Sequence, residues 1–314
     1  MSVTDRFDVL VAGEYFCDLI FSGLGAPPRL GAEVMAEALT VRPGGCYNMA
    51  VALTRLGLRT AWATDFGTDL FSRLVLAEAE REGIDSSAFR YVEDSLQRVS
   101  AAFSGGGERG FISYSEDAVR PPDFRVLARL RPRWLLQSFR FEPEWLAFMR
   151  AARAAGVSIL SDCRGGDFDL ATPGVEEFLS LSDVFSPNEA EAFALAGCTD
   201  IDTALSVLAE ITPTVVIKRG ALGASAISQG KRLDLAAPQV EVVDTVGAGD
   251  AFNAGYLAGL LWESSFAECL RLAVACGSLS TTGAGSSACP SAARLSSFVA
   301  RSMGGLPSGC ALAS

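Results

Sequence analysis

Apolar residues follow two different periods along this chain, and segments with one period alternate with segments that have the other. Residues 7–12, which are apolar except for Asp8, form a run that Gly13 closes, a pattern typical of a buried β-strand. Residues 69–82 instead place apolar side chains such as Leu70 and Leu74 at helical spacing. The same two patterns predict further strands at 60–64, 98–103, 109–114, 134–137, 157–161, 183–186 and 214–218, and further helices at 48–56, 142–155, 188–196, 250–262, 266–281 and 292–302.

This alternation of strand and helix predicts an α/β protein with a mainly parallel central sheet that is sandwiched by helices. Two extended segments interrupt the alternation, at about 14–42 and 91–114, and the second contains a glycine-rich turn typical of a hairpin. We interpret both segments as a small β-sheet lid inserted into a single α/β domain of residues 1–302. Residues 303–314 are expected to form a flexible tail.

Length and charge narrow the class of protein. The chain has 314 residues, of which 49% are hydrophobic, so a large core is available. No apolar run reaches the roughly 18 residues of a membrane-spanning helix, and the polar start lacks the pattern of a signal peptide. A formal net charge of −11 disfavours nucleic acid and membrane surfaces as partners. We therefore expect a cytoplasmic protein without nucleic-acid or membrane partners.

The chain contains no histidine, which excludes several mechanisms. A Ser-His-Asp triad, a Cys-His pair and a histidine proton shuttle all need that side chain. The eight cysteines include no C-x-x-C pair, so structural zinc and a disulfide framework are also disfavoured. Any general base must therefore be Asp, Glu, Lys, Tyr or Cys.

The stretch 244–252 reads DTVGAGDAF and precedes an apolar helical pattern. Three small residues, Gly247, Ala248 and Gly249, let the backbone turn tightly and expose its N–H groups at a helix start, where the helix dipole also favours an anion. Asp250 lies at the mouth of this anion hole, the position expected of a general base that accepts the proton of a substrate hydroxyl. Taken alone, the stretch fits a capped glycine turn equally well. It matches neither a dinucleotide-binding G-x-G-x-x-G loop nor a Walker loop.

Two other clusters carry candidate chemistry. Gly44 and Gly45 allow a ligand to approach the backbone closely, and Asn48 could cap the helix that follows or bond a hydroxyl. Together with Asp18 these residues suit a polyol. Further on, Asn188-Glu189-Ala190-Glu191 follows a strand and could hold water around Mg²⁺, although an ordinary helix cap explains it as well.

Taken together and in this order, these clusters resemble the PfkB-type, ribokinase-like family of carbohydrate kinases. The resemblance covers nearly the whole chain, and the turn Lys218-Arg219-Gly220 also belongs to it. The family implies an ATP-dependent enzyme that transfers the γ-phosphoryl group to a hydroxyl of a small sugar.

The resemblance also implies roles for individual residues. Asp250 would be the general base, and Gly247, Ala248 and Gly249 the anion hole. Sugar contacts are implied at Asp18, Gly44, Gly45 and Asn48. Contacts to ATP are implied at Asn188, Glu191, Lys218, Gly220, Thr245, Gly247, Gly249 and Cys276, with Glu191 also holding Mg²⁺ through water. Some members bind a monovalent cation such as K⁺, here between the Asp244 loop and residues 283–287.

Several alternatives stay open at this point. Arg109 and Arg140 could reach the substrate, and a carboxylate partner would then favour a 2-keto-3-deoxy sugar acid over a neutral sugar. Nucleoside kinases and non-catalytic sugar-binding relatives are further alternatives. The spacing from Gly44-Gly45 to Asn48 is one residue shorter than usual for the family. The apolar run 16–21 either packs on the main sheet or pairs two lids in a homodimer.

Overall fold

The computed structural model describes residues 6–105, 108–116 and 119–304. Its strands are β1 (Val9–Ala12), β2 (Tyr15–Ser22), β3 (Ala38–Gly45), β4 (Thr60–Phe66), β5 (Phe89–Tyr91), β6 (Val99–Gly105), β7 (Glu108–Tyr114), β8 (Trp134–Gln137), β9 (Ser158–Asp162), β10 (Val184–Ser186), β11 (Thr214–Lys218), β12 (Ala224–Ser228) and β13 (Lys231–Leu235). Its helices are α1 (Cys46–Arg55), α2 (Leu70–Arg81), α3 (Arg125–Leu130), α4 (Pro143–Ala154), α5 (Val175–Leu181), α6 (Glu189–Ala196), α7 (Ile201–Ala209), α8 (Ala248–Leu261), α9 (Phe266–Ser280) and α10 (Ala292–Ser302).

Nine strands form the central sheet, in the order β13-β12-β11-β10-β9-β8-β1-β4-β5. All neighbours pair in parallel except at one edge, where β11, β12 and β13 form an antiparallel meander. Along β1, Val9 and Val11 point into one hydrophobic cluster while Leu10 and Ala12 point into the other. The continuous apolar run of β1 is thus explained, because both faces of the sheet are covered.

The helices divide between the two faces. Helices α1, α2, α8, α9 and α10 contribute to the first cluster, and α3 to α7 contribute to the second. The predicted fold, a mainly parallel sheet sandwiched by helices, is confirmed. No single helix among the described residues is long and apolar enough to cross a membrane, although the bent pair α6 and α7 meets that criterion on length and composition alone.

A second, four-stranded sheet has the order β3-β2-β6-β7 and comes from the two segments expected to form the lid. Asp18 in β2 pairs in register with Arg42 in β3, so both side chains lie on one face. The opposite face carries Leu39, Val41 and Ile112, which are all exposed. The lid therefore has one face with polar and charged side chains and one apolar face.

The element boundaries differ from the sequence prediction in two ways. Helix α1 begins at Cys46, two residues earlier than predicted, and this shift moves Asn48 into the first helical turn. The short elements β5, α3, α5 and α7 were not predicted. Of the expected tail, residues 305–314 lie outside the described residues.

Candidate active site

Residues 247–249, the predicted anion loop, lie at the start of α8. Gly247 is the residue before the helix and has a φ of 76°, a conformation that side-chain-bearing residues rarely adopt. A Cβ atom on Gly247 would lie 3.3 Å from Nδ2 of Asn48, and one on Gly249 would lie 3.4 Å from Nζ of Lys218. An amide and an ammonium group thus approach this loop closely enough to contact a bound phosphate.

Asp250 follows in the first turn of α8 and is half-buried. Asn48 donates from Nδ2 to Oδ2 of Asp250 at 3.3 Å. Burial, and secondly the charge of Asp162, raise the pKa of Asp250 to about 7, while Lys218 and the Asn48 hydrogen bond partly oppose this shift. A carboxylate with a pKa near 7 suits a general base that works at neutral pH.

A buried ion pair stands beside Asp250. Nζ of Lys218 lies 2.5 Å from Oδ1 of Asp162, and these residues end the parallel strands β11 and β9. Burial disfavours the ammonium charge, but Asp162 outweighs that effect and the pKa of Lys218 is raised. Asp162 was not among the predicted site residues, and its only signal in the sequence is a charged residue at the carboxyl end of a predicted strand.

Asn188 and Glu191 form a reciprocal cap at the start of α6. Oδ1 of Asn188 accepts from the Glu191 N–H at 2.9 Å, and the Asn188 N–H donates to Oε2 of Glu191 at 2.8 Å. Burial raises the pKa of Glu191. The two side chains nevertheless line one cleft with the phosphate-site residues, namely Asp162, Lys218, Gly220, Gly247, Gly249 and Asp250.

This cleft suits a Mg²⁺ ion that arrives with a nucleotide. Within the described ranges, no three His, Cys, Asp or Glu side chains cluster closely enough to hold a metal by themselves. Mg²⁺ commonly keeps several waters and takes phosphate oxygens as ligands. Glu191 and Asn188 therefore fit as residues that hold its water shell.

A larger cleft of about 620 Å³ adjoins the anion loop and has the size of a nucleotide site. Its lining includes Lys218, Gly220, Ala221, Gly223, Ala237, Pro238, Val240, Thr245, Gly249, Val274, Gly277, Ser278 and Thr281. Cys276 does not line it, and the prediction of a nucleotide contact there was wrong. Cys276 is fully buried and faces α8, where a Cβ atom on Gly255 would lie 2.7 Å from the Cys276 Cβ.

Asp18 lies against the glycine pair Gly44-Gly45, and these are residues expected to contact the sugar. A Cβ atom on Gly44 would collide with the Asp18 carboxylate, so only glycine allows this approach. Burial, and secondly the charge of Asp244, raise the pKa of Asp18 to about 7. Gly45 precedes α1 with a φ of 64°. Asn48 still reaches Asp250 despite the shortened spacing.

The structure bears differently on the two arginines that were predicted to contact the substrate. Arg140 forms a buried ion pair with Glu14 and lies 3.7 Å from Oε1 of Glu142. Because two carboxylates already compensate its charge, the structure does not support the predicted substrate contact of Arg140. Arg109 lies in β7 opposite Ser104, and its side chain lies outside the described part of the structure.

The residues suggested for a monovalent cation are already bonded to each other. Asp244 accepts the Val246 N–H at 3.0 Å and the Gly285 N–H at 2.9 Å. Nη1 of Arg42 donates to the carbonyl of Ala284 at 2.7 Å, and Arg42, Asp244, Val246 and Ala284 line one small cleft. A guanidinium group therefore lies where the resemblance implied K⁺, so these residues do not fit that ion.

Comparison with known proteins identifies the family of this chain. The family model for the pfkB family carbohydrate kinases matches residues 8–293. A fructokinase from Klebsiella pneumoniae is 31% identical over 77% of this chain and 87% of its own length, and a Haemophilus influenzae ribokinase is 27% identical over 76% and 80%.

Among solved structures, Arabidopsis thaliana ribokinase complexed with ribose and ATP superposes with a TM-score of 0.83 at 24% identity, covering 94% of this chain and 99% of that one. The likeness in structure shows the same fold, and the family match extends over most of the sequence. The chain belongs to the pfkB family of carbohydrate kinases.

Proposed function

We propose that this protein transfers the γ-phosphoryl group of ATP to a hydroxyl of a small neutral sugar, with Asp250 as the general base. One observation carries the proposal. A single cleft joins a carboxylate whose pKa is about 7, an anion loop at a helix start and a buried lysine. Phosphoryl transfer to an alcohol needs these three groups within reach of one another.

Each group has a separate task in the reaction. Asp250 accepts the proton of the sugar hydroxyl as that oxygen bonds to the γ-phosphorus of ATP, while the bond from this phosphorus to the bridging oxygen breaks and ADP leaves. The amides at the start of α8, helped by the helix dipole, and the ammonium of Lys218 stabilise the negative charge on the transferring group. Mg²⁺, when bound, would supply charge neutralisation on the phosphates, with Asn188 and Glu191 holding its waters.

The two clefts suggest how the substrates are arranged. ATP would place its base and ribose in the cleft of about 620 Å³ between the meander and α9, with its phosphates directed toward Gly249. The sugar would lie between the lid residue Asp18 and Asp250. Asn48 would help to orient it, because this residue contacts Asp250 and lies in the first turn of α1, directly after the lid strand β3.

A neutral sugar is favoured over a sugar acid because of the charges near the site. Arg140 is paired with Glu14 and Glu142, so its guanidinium group is not free to bind a substrate carboxylate. Asp18 and Asp250 would repel a carboxylate when ionised and can accept hydrogen bonds from sugar hydroxyls.

The test is a coupled ADP-release assay with Mg²⁺–ATP across neutral pentoses and hexoses, 2-keto-3-deoxy sugar acids and nucleosides. We expect at least one neutral sugar to accelerate ADP release, and the Asp250→Asn variant to abolish most of that acceleration. Preference for a sugar acid or a nucleoside would overturn the substrate class. Saturable sugar binding without ADP release would indicate a non-catalytic sugar-binding protein.

We further propose that two lids pair through their apolar faces. Val41, Leu19, Ala101 and Ile112 lie in one row across the four lid strands. Val41 and Ile112, at the two ends of this row, are 40% and 67% exposed, so large apolar side chains on both edge strands face solvent. A second copy of the chain is the occupant that such a self-complementary face suits, because the same apolar row would meet itself across a two-fold axis.

A further inference from the structure

Arg42 connects the lid to the loop that follows α9. It lies in β3, opposite Asp18, and its Nη1 donates to the Ala284 carbonyl at 2.7 Å. A Cβ atom added to Gly285 would lie 3.3 Å from the Arg42 Cδ, so the aliphatic part of the side chain also packs against this loop. A lid residue thus supplies a positive charge to a loop of the main domain.

A second arginine bonds the other carbonyls of this loop. Nη1 of Arg55, at the end of α1, donates to the carbonyls of Ser286, Ser287 and Cys289 at 2.8, 3.0 and 3.3 Å. Glu82 holds Arg55 in place with two hydrogen bonds of 2.8 Å. Between them, the two guanidinium groups engage the carbonyl oxygens of residues 284, 286, 287 and 289.

Alkali-metal ions bind proteins through several carbonyl oxygens that replace their water shell. Here the oxygen that faces the Asp244 loop, that of Ala284, already accepts from Arg42. A metal cation at the same oxygen would lie close to a second positive charge, and like charges at such a distance repel each other. A guanidinium group offers the same charge with fixed, directed donors.

The loop that Arg42 contacts helps to position the anion hole. The N–H groups of Val243 and Asp244 donate to the Thr281 carbonyl at 2.8 and 3.1 Å, and the Asp244 carboxylate accepts from Gly285. Asp244 is only three residues from Gly247, where the anion loop starts. Movement of residues 281–285 would therefore shift the amides that bind phosphate.

We propose that Arg42 takes the place of a monovalent cation between the Asp244 loop and residues 283–287, so that this kinase holds its anion loop in position without K⁺. Arg42 acts as a positioning residue, since it contacts the loop and not the reacting atoms. The structural half of the proposal, that the site does not bind K⁺, is independent of the enzymatic activity. The catalytic half rests on the proposed kinase function.

The first test compares wild-type protein in KCl and in choline chloride at equal ionic strength. A cation that binds only the folded state would raise the melting temperature. We expect melting temperatures that agree within about 1 °C and sugar-dependent rates that agree within about two-fold. A saturable rise of several degrees in KCl, or a strict need for K⁺ in the assay, would overturn the proposal.

The second test uses Arg42→Ala and Arg42→Lys, with Arg73→Ala as a matched control. Arg73 also donates to a backbone carbonyl, that of Thr68, but on the exposed surface of α2. In choline chloride we expect Arg42→Ala to lower kcat at least about 10-fold with a smaller effect on the KM for sugar, because the anion loop loses its position. KCl should restore part of that loss.

Arg42→Lys keeps the charge and should retain most of the wild-type rate in choline chloride, as should Arg73→Ala. Full activity of Arg42→Ala in choline chloride would show that the arginine is dispensable. If Arg42→Ala loses activity and KCl restores none of it, Arg42 does not take the place of a monovalent cation, and the proposal is wrong. If wild-type protein phosphorylates no sugar, the kinase proposal fails, while the melting comparison still decides whether K⁺ binds.

Discussion

At the scale of single residues, the proposed chemistry depends on one carboxylate, Asp250, whose surroundings disfavour its ionised form. Asp250 is half-buried, lies near the charge of Asp162 and has a pKa of about 7. A surface aspartate capping a helix would normally have a lowered pKa, because the helix start favours its charge. The raised value therefore supports a base over a simple cap.

Asp250→Asn should lower kcat by about 10²–10⁴-fold, the usual loss when a general base is removed. The substitution is nearly isosteric and leaves Asn48 a hydrogen-bond partner, so Mg²⁺–ATP should still raise the melting temperature of the variant. Steady-state kinetics and a thermal shift with ATP measure the two effects. Turnover near the wild-type rate would contradict the assignment of the base.

The pKa of Asp250 also predicts how stability depends on pH. Since the folded-state pKa is raised from 3.8 to about 7, folding favours the protonated carboxyl, and that contribution is fully present below about pH 4 and is lost as the pH rises from there to about 7. Asp250→Asn removes this loss. We expect the melting temperature of the variant to exceed that of wild type by several degrees more at about pH 8 than at about pH 5. An equal difference at both pH values would contradict the raised pKa.

The same ionisation should appear in the rate. Below its pKa the base is protonated, so kcat/KM for the sugar should fall with one proton as the pH drops below about 7. Asp18, whose pKa is also about 7, borders the same site, so the apparent value would belong to both carboxyl groups.

At the scale of elements, the proposed phosphate site depends on the start of α8. The helix begins at Ala248, directly after the positive φ of Gly247, and Lys218 extends from β11 over Gly249. The DTVGAGDAF pattern predicted this loop because small residues and a helix start are local features of the sequence.

Gly249 offers a graded test of the anion loop. A Cβ atom would lie 3.4 Å from the end of the Lys218 side chain, an ordinary contact, so Gly249→Ala should keep most of the activity. Gly249→Val adds two methyl groups in the same space, and we expect it to lower kcat/KM for ATP by at least about 10² while the protein stays folded. Circular dichroism and ATP kinetics measure both properties. Equal activity of the two variants would place the phosphate site elsewhere.

Other elements were predictable only in part, for physical reasons that differ. The long periodic helices and the apolar strands were found because burial imposes their patterns. β5 and α5 are too short to show a period. The sequence gives no indication of which face of α9 meets α8, so Cys276 was assigned to the wrong side. Asp162 and Arg42 acquire their roles only through partners more than 50 residues away in sequence.

At the scale of the whole molecule, the lid and the main domain complete the site together. The lid supplies Asp18 and Arg42, and the main domain supplies Asp250 and the loops that they approach. Arg42 also forms a direct hydrogen bond between the two parts. The lid therefore has one face directed to the site and one apolar face directed to solvent.

The apolar lid face predicts a dimer in solution. Light scattering should give about twice the mass of the 33.0 kDa chain, and Ile112→Asp, which places a charge in the central row of the face, should give the monomer. Glu93→Arg, at a position outside the lid strands, is a control that should leave the mass unchanged. A wild-type monomer at assay concentration would remove the dimer without affecting the proposed chemistry.

The most direct test is a crystal structure with a non-hydrolysable ATP analogue, Mg²⁺ and the neutral sugar that the assay identifies. The account predicts the terminal phosphate against the amides of Gly247 and Gly249, with one sugar hydroxyl between that phosphate and the Asp250 carboxylate. A terminal phosphate bound away from Asp250, or a sugar bound outside the space between Asp18 and Asp250, would contradict it.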